Sequence, residues 1–102
     1  MTVGFYQIGD AVRLHTEDYP FEVANGTDTD PTATTFAMLE PDGTETVYTY
    51  GVDAALTRSA AGKFSVTWTT AKAGRHEWRW KGTGAVTAAD TGVFWVEGTV
   101  LA

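Results

Sequence analysis

The chain has 102 residues and no cysteine, and its 7 Lys plus Arg against 13 Asp plus Glu give a net charge of −6. A chain of this length folds as one domain and buries roughly 65% of its unfolded surface, so a hydrophobic core holds it without disulfides or metal ions; a content of 43% hydrophobic and 13% aromatic residues excludes a disordered tail. The carboxylate surplus argues against nucleic acid as a partner, no apolar stretch approaches the ~18 residues of a membrane span, and no basic segment with a following apolar run opens the chain, so a product of the cytoplasm is expected.

The hydrophobic period is two wherever it is legible, and threonine, whose β-branching suits a pleated surface, is abundant. Residues 1–5 read as a short irregular terminus. After Gly9 and Asp10, Val12 and Leu14 alternate with Ala11, Arg13 and His15, the pattern of a strand. A short strand at Phe21–Val23 follows, then the longest turn-rich loop, Asn25 to Pro31. In Ala33–Glu40, Phe36 and Met38 alternate with Thr35, Ala37 and Leu39. Pro41-Asp42-Gly43-Thr44 has Pro where φ is preset and Gly where φ > 0 is wanted, so a tight turn joins this strand to one at Glu45–Tyr50. Val52–Leu56 reads as one helical turn. Phe64, Val66 and Trp68 share one face of the next strand, opposite Ser65, Thr67 and Thr69. Beyond a connector, Ala71 to Gly74, His76, Trp78 and Trp80 face one way and Arg75, Glu77, Arg79 and Lys81 the other. Glycines at 82 and 84 end that strand. The last strand, Gly92–Glu97, sets Phe94 and Val96 against Val93 and Trp95, and either face suits burial. Residues 98–102 form a second irregular terminus. About seven short strands at intervals near ten residues predict a single all-β antiparallel sandwich rather than βαβ units.

The charge is uneven. Residues 1–50 hold nine acids against Arg13 alone, a local sum of −8, while residues 51–102 sum to +2. Catalytic chemistry has few candidates: His15 and His76 are the only imidazoles, and no Gly-x-Ser-x-Gly turn presents Ser59 or Ser65 as a nucleophile. The expectation is a protein that is not an enzyme. Asp28 and Asp30 offer hard oxygen ligands, yet the further carboxylates and closing Glu of a calcium loop are missing, so neither metal nor cofactor is expected. Asn25-Gly26-Thr27 matches a glycosylation acceptor and is read as a turn. Alternation in Arg75–Lys81 puts rings and cations on opposite faces, which sends Trp78 and Trp80 into the core with His76 packed beside Trp78 on a hydrogen-bond partner. With Phe94 and Val96 inward, Trp95 is left outside as an interface anchor. The candidate contact residues are Trp95, Arg75, Arg79 and Lys81.

Three stretches, taken in order, carry a resemblance: Pro41-Asp42-Gly43-Thr44 leading to Tyr48-Thr49-Tyr50-Gly51; Ala73-Gly74 leading to Trp78-Arg79-Trp80-Lys81-Gly82-Thr83-Gly84; and Phe94-Trp95-Val96. With the opening Tyr6 to Leu14, the chain over residues 6–97 resembles the small Ig-like structural proteins of tailed bacteriophages and prophages. The segment Glu17-Asp18-Tyr19-Pro20-Phe21 departs from that pattern where a smoother strand and turn would stand. The resemblance implies an Ig-like β-sandwich carried on the virion in many copies, as a capsid decoration or minor capsid protein bound to other virion proteins, the major capsid protein first, or as a neck or tail component. It implies no catalytic residues. Trp95 and the Asp-rich loop also fit a module that binds a host-surface glycan.

Overall fold

The computed structural model describes residues 5–16 and 28–97. The expected strand at Phe21–Val23, the irregular segment from Glu17, the Asn25-Gly26-Thr27 turn and the tail 98–102 lie outside the described residues. The rest forms eight strands: β1 (Phe5–Gln7), β2 (Ala11–His15), β3 (Ala33–Leu39), β4 (Glu45–Thr49), β5 (Leu56–Ala60), β6 (Lys63–Thr69), β7 (Gly74–Thr83) and β8 (Ala88–Glu97). There is no helix among the described residues, and so none long and apolar enough to cross a membrane.

The strands make two sheets, a five-stranded one ordered β1-β8-β7-β3-β4 and a three-stranded one ordered β2-β6-β5. Every pairing is antiparallel except β1 with β8, which is parallel. The two inner faces meet in one core. The three-stranded sheet supplies Val12, Leu14, Leu56, Phe64 and Val66, and the five-stranded sheet supplies Phe36, Met38, Trp78, Trp80, Phe94 and Val96. Trp80 is wholly buried and Trp78 is 5% exposed. Each of these indoles withdraws roughly 150–250 Å² from water.

The 41–44 turn forms as its residues dictate. Gly43 adopts φ 90°, Gly43 N donates to Glu40 O (2.9 Å), Glu40 N donates to Thr44 O (2.9 Å), and Asp42 Oδ1 accepts from Thr44 N (3.0 Å). At the other end of the molecule, Thr16 extends the β2–β6 ladder with its side chain. Its Oγ1 donates to Gly62 O (2.8 Å) and accepts from Phe64 N (3.0 Å) in a fully buried position.

Three expectations are corrected. Val52–Leu56 is not a helical turn: Asp53 Oδ2 accepts from Thr49 N (2.9 Å), which fixes residues 50–55 as turns, and Leu56 opens β5 as a buried strand residue. The N-terminal region is not wholly irregular, because Phe5–Gln7 pairs with Trp95–Glu97. The glycine-containing run does end β7, which stops at Thr83 before Gly84 at φ 85°, with Gly82 still paired to both Thr34 and Ala88. β8 begins at Ala88 rather than Gly92, its small and polar first half held by pairing with β7.

The inward face of β8 is settled by size. Gly92 stands opposite Trp78, and a methyl group there would collide with Trp78 Cζ2 and lie 2.5 Å from Cε2. Only a residue without a side chain leaves room for the indole. With Gly92 inward, Phe94 and Val96 follow at period two and Trp95 turns outward.

Candidate interaction surface

The outward residues of β7 are Arg75, Glu77, Arg79 and Lys81, all exposed. Register places them in rows across the sheet: Arg75 beside Trp95, Glu77 between Leu39 and Val93, Arg79 between Ala37 and Thr91, Lys81 between Thr35 and Ala89. Trp95 is 43% exposed and is the one exposed tryptophan of the chain. The structure therefore brings all four candidate contact residues onto one face. Exposed Leu39 and Val47 add apolar area from β3 and β4, a part of the surface that the sequence reading missed. A shallow depression of about 230 Å³ lies on this face, lined by Ala37, Leu39, Glu45, Glu77, Arg79 and Thr91 among others.

The charges on this face divide into tied and free. Arg75 Nη1 lies 3.4 Å from Glu77 Oε2. Arg79 and Lys81 have no carboxylate partner among the described residues. Elsewhere two cations of the second half, Arg58 and Lys72, pair with acids of the first. Arg58 Nε donates to both oxygens of Asp30 (3.0 and 2.8 Å), whose Oδ1 also accepts from Gly62 N (2.9 Å). This bonding, with that to Arg58 first, holds the Asp30 carboxyl below the usual aspartate range and raises Arg58. Lys72 Nζ donates to Asp42 Oδ2 (2.8 Å) and lies 3.4 Å from Glu40 Oε2. The Lys72 ammonium, helped by Thr44 N, holds Asp42 well below the usual carboxylate range, and Lys72 is raised in turn. These pairs join segments about 30 residues apart, so two cations of the second half neutralise acids of the first in space. Arg79 and Lys81 stand on the sheet face flanked by small residues that leave the cations accessible.

The groups weighed for catalysis do not assemble around a reactive centre. His76 is buried on β7, its ring stacked on Phe94 with centroids 4.8 Å apart and planes at 10°. Its Nδ1 lies 3.3 Å from Gly74 O, and its Nε2 has no hydrogen-bond partner among the described residues. The ring that the sequence places beside Trp78 is instead stacked on Phe94, with one nitrogen within hydrogen-bond distance of a partner. His15 is the register partner of Ser65, an adjacency that only strand order reveals. Ser65 Oγ is engaged with Thr57 Oγ1 at 2.9 Å on an open sheet face. Asp30, weighed as a calcium ligand, is committed to Arg58. No three His, Asp or Glu side chains among the described residues are grouped as metal ligands would be.

The fold and surface define a two-sheet all-β protein with a mixed apolar and cationic outer face. No model of a known protein family matches the chain, and no curated protein matches it.

Proposed function

We propose that this chain is a non-enzymatic structural protein of a tailed-bacteriophage virion, an Ig-like capsid decoration or minor capsid protein that docks through the outer face of its five-stranded sheet. The observation that carries this reading is the gathering of Trp95, Arg75, Arg79 and Lys81 on that face. An exposed indole among cations, bordered by small residues, suits a protein surface that presents acids around an apolar recess. Strand order supports the Ig-like element. β8, β7 and β3 stand in the order of strands G, F and C, with β4 beyond β3 as in variable-type domains, and β2, β6 and β5 stand in the order of B, E and D. The core has no disulfide; Trp78 and Trp80 fill it instead.

Repetition on a particle makes a modest single contact sufficient, because many copies on one shell act with high effective concentration. The neighbours on the shell are other virion proteins, foremost the major capsid protein. Mass spectrometry of purified particles tests the reading: the chain is expected at a fixed stoichiometry to the major capsid protein, and its absence refutes the assignment. Trp95 alone favours a second reading, in which its indole stacks on a host-surface sugar. That reading predicts a shift of tryptophan emission on titration with millimolar cell-wall sugars, and a flat titration removes it.

A further inference from the structure

A second feature borders the face just described: the free edge of β4. In the β3–β4 hairpin, Glu40 N donates to Thr44 O and Tyr50 N donates to Thr34 O (3.0 Å). Because an antiparallel ladder bonds alternate pairs, residues 44, 46, 48 and 50 turn their backbone groups toward β3, and Glu45, Val47 and Thr49 turn theirs to the open side. Thr49 is already served there: its N donates to Asp53 Oδ2 (2.9 Å), and its O accepts from Asp53 N (2.9 Å) and Val52 N (3.1 Å). The N–H and C=O groups of Glu45 and Val47 have no partner among the described residues.

The other edges carry the devices that keep strands from pairing. β1 has three residues, β2 carries Arg13 and His15 among its five, and the β5–β6 register shifts between Arg58 and Ala60. β4 has no cation and no register shift, and its Val47 is 50% exposed. On the outer face beside the free groups stands the Glu45 carboxylate, also without a cation among the described residues.

We infer that the β4 edge accepts an extended, cationic segment of a partner protein as an added strand, with a Lys or Arg facing Glu45 and an apolar residue facing Val47. Backbone bonds to Glu45 and Val47 give the affinity, the side-chain row gives the selectivity, and Asp53 ends the pairing at Thr49. A second copy of this chain fits less well. Pairing that uses all the free groups sets Glu45 opposite Val47 of the second copy, which brings the two Glu45 carboxylates onto one diagonal about 7 Å apart. Pairing centred on Val47 brings Glu45 against an edge position at Thr49 that Asp53 already occupies. The inference does not rest on the virion reading.

The test uses two synthetic peptides, Thr-Val-Thr-Lys-Thr-Val-Thr and the same peptide with Glu in place of Lys, followed by amide NMR. The Lys peptide is expected to shift and protect the Glu45 and Val47 amides and to bind at least tenfold more tightly than the Glu peptide. Val47→Pro removes a donor that the β3 ladder does not use, so the variant keeps its near-ultraviolet circular dichroism and loses peptide affinity about tenfold. Glu45→Gln reduces the preference for Lys over Glu. Equal binding of both peptides, unchanged binding by the folded V47P variant, or protection of these amides by self-association without peptide overturns the inference.

Discussion

Replacing Gly92 with alanine should destabilise the protein by about 2–3 kcal/mol, and the sign of this effect is diagnostic. In an unobstructed strand, Gly→Ala gains roughly 0.4–1 kcal/mol, because alanine has less backbone freedom to lose on folding. Here the new methyl meets the rigid indole of Trp78, colliding with Cζ2, 2.5 Å from Cε2 and 2.9 Å from Nε1. Ordinary contact requires about 3.5 Å or more, so the indole or β8 must move by about 1 Å in a core that Trp78 shares with Phe36, Met38, Trp80 and Phe94. Overpacking of this kind typically costs 1–3 kcal/mol, equivalent to roughly 10 °C or more in the melting temperature of a chain this size. Trp78→Leu alone costs roughly 3 kcal/mol through the cavity it leaves. In the double variant the methyl enters space the indole has vacated, so the combined loss falls short of the sum by about 1 kcal/mol or more. Urea unfolding of the four proteins measures this. A G92A variant as stable as the parent, or a strictly additive cycle, would refute the packing argument and with it the reason Trp95 faces outward.

Thr16→Val should cost about 1–3 kcal/mol by urea unfolding, since it strips partners from the buried Phe64 N–H and Gly62 C=O, whereas Thr16→Ser keeps the hydroxyl and most of the stability; equal losses in the two variants would contradict the bonding described. Asp30 and Asp42 are both held below the ordinary value of 3.8 in the folded state. Their contribution is therefore present above about pH 4 and is lost as pH falls through the depressed folded values. Changing both to Asn should flatten the fall in melting temperature between about pH 4 and pH 2, and an unchanged slope would show that the two carboxylates carry none of it. Arg79 and Lys81 are exposed and make no ion pair among the described residues, so R79E with K81E should leave stability within about 0.5 kcal/mol per site, read as an unchanged urea midpoint.

Local alternation made much of this architecture legible. β2, β3, β6 and β7 each set apolar against polar residues strongly enough to be read alone, and the Pro41–Thr44 turn fixed the β3–β4 hairpin. β1 and β5 escaped for a shared reason. Three residues paired parallel to a strand some 90 positions away leave no periodic trace, and Leu56-Thr-Arg-Ser-Ala holds a single large apolar residue, so partners define these strands. The candidate contact face was readable on β7, whose alternation is unbroken, but the outward turn of Trp95 depends on Gly92 meeting Trp78, a contact between strands. The neutralisation of Asp30 and Asp42, the contributions of Leu39 and Val47, and the open β4 edge all follow from strand order, which periodicity does not encode.

The central claim, docking through the outer face of the five-stranded sheet, is tested most directly by titrating the chain onto assembled particles that lack it, with acrylamide quenching of tryptophan as the readout. Of the four tryptophans Trp78 and Trp80 are buried, Trp68 is half-buried and Trp95 is exposed, so covering Trp95 should lower the quenchable fraction for the parent chain, and R79E with K81E should bind at least tenfold more weakly. Saturable binding with Trp95 still fully quenchable, or unchanged binding of the charge-reversed variant, would contradict the account.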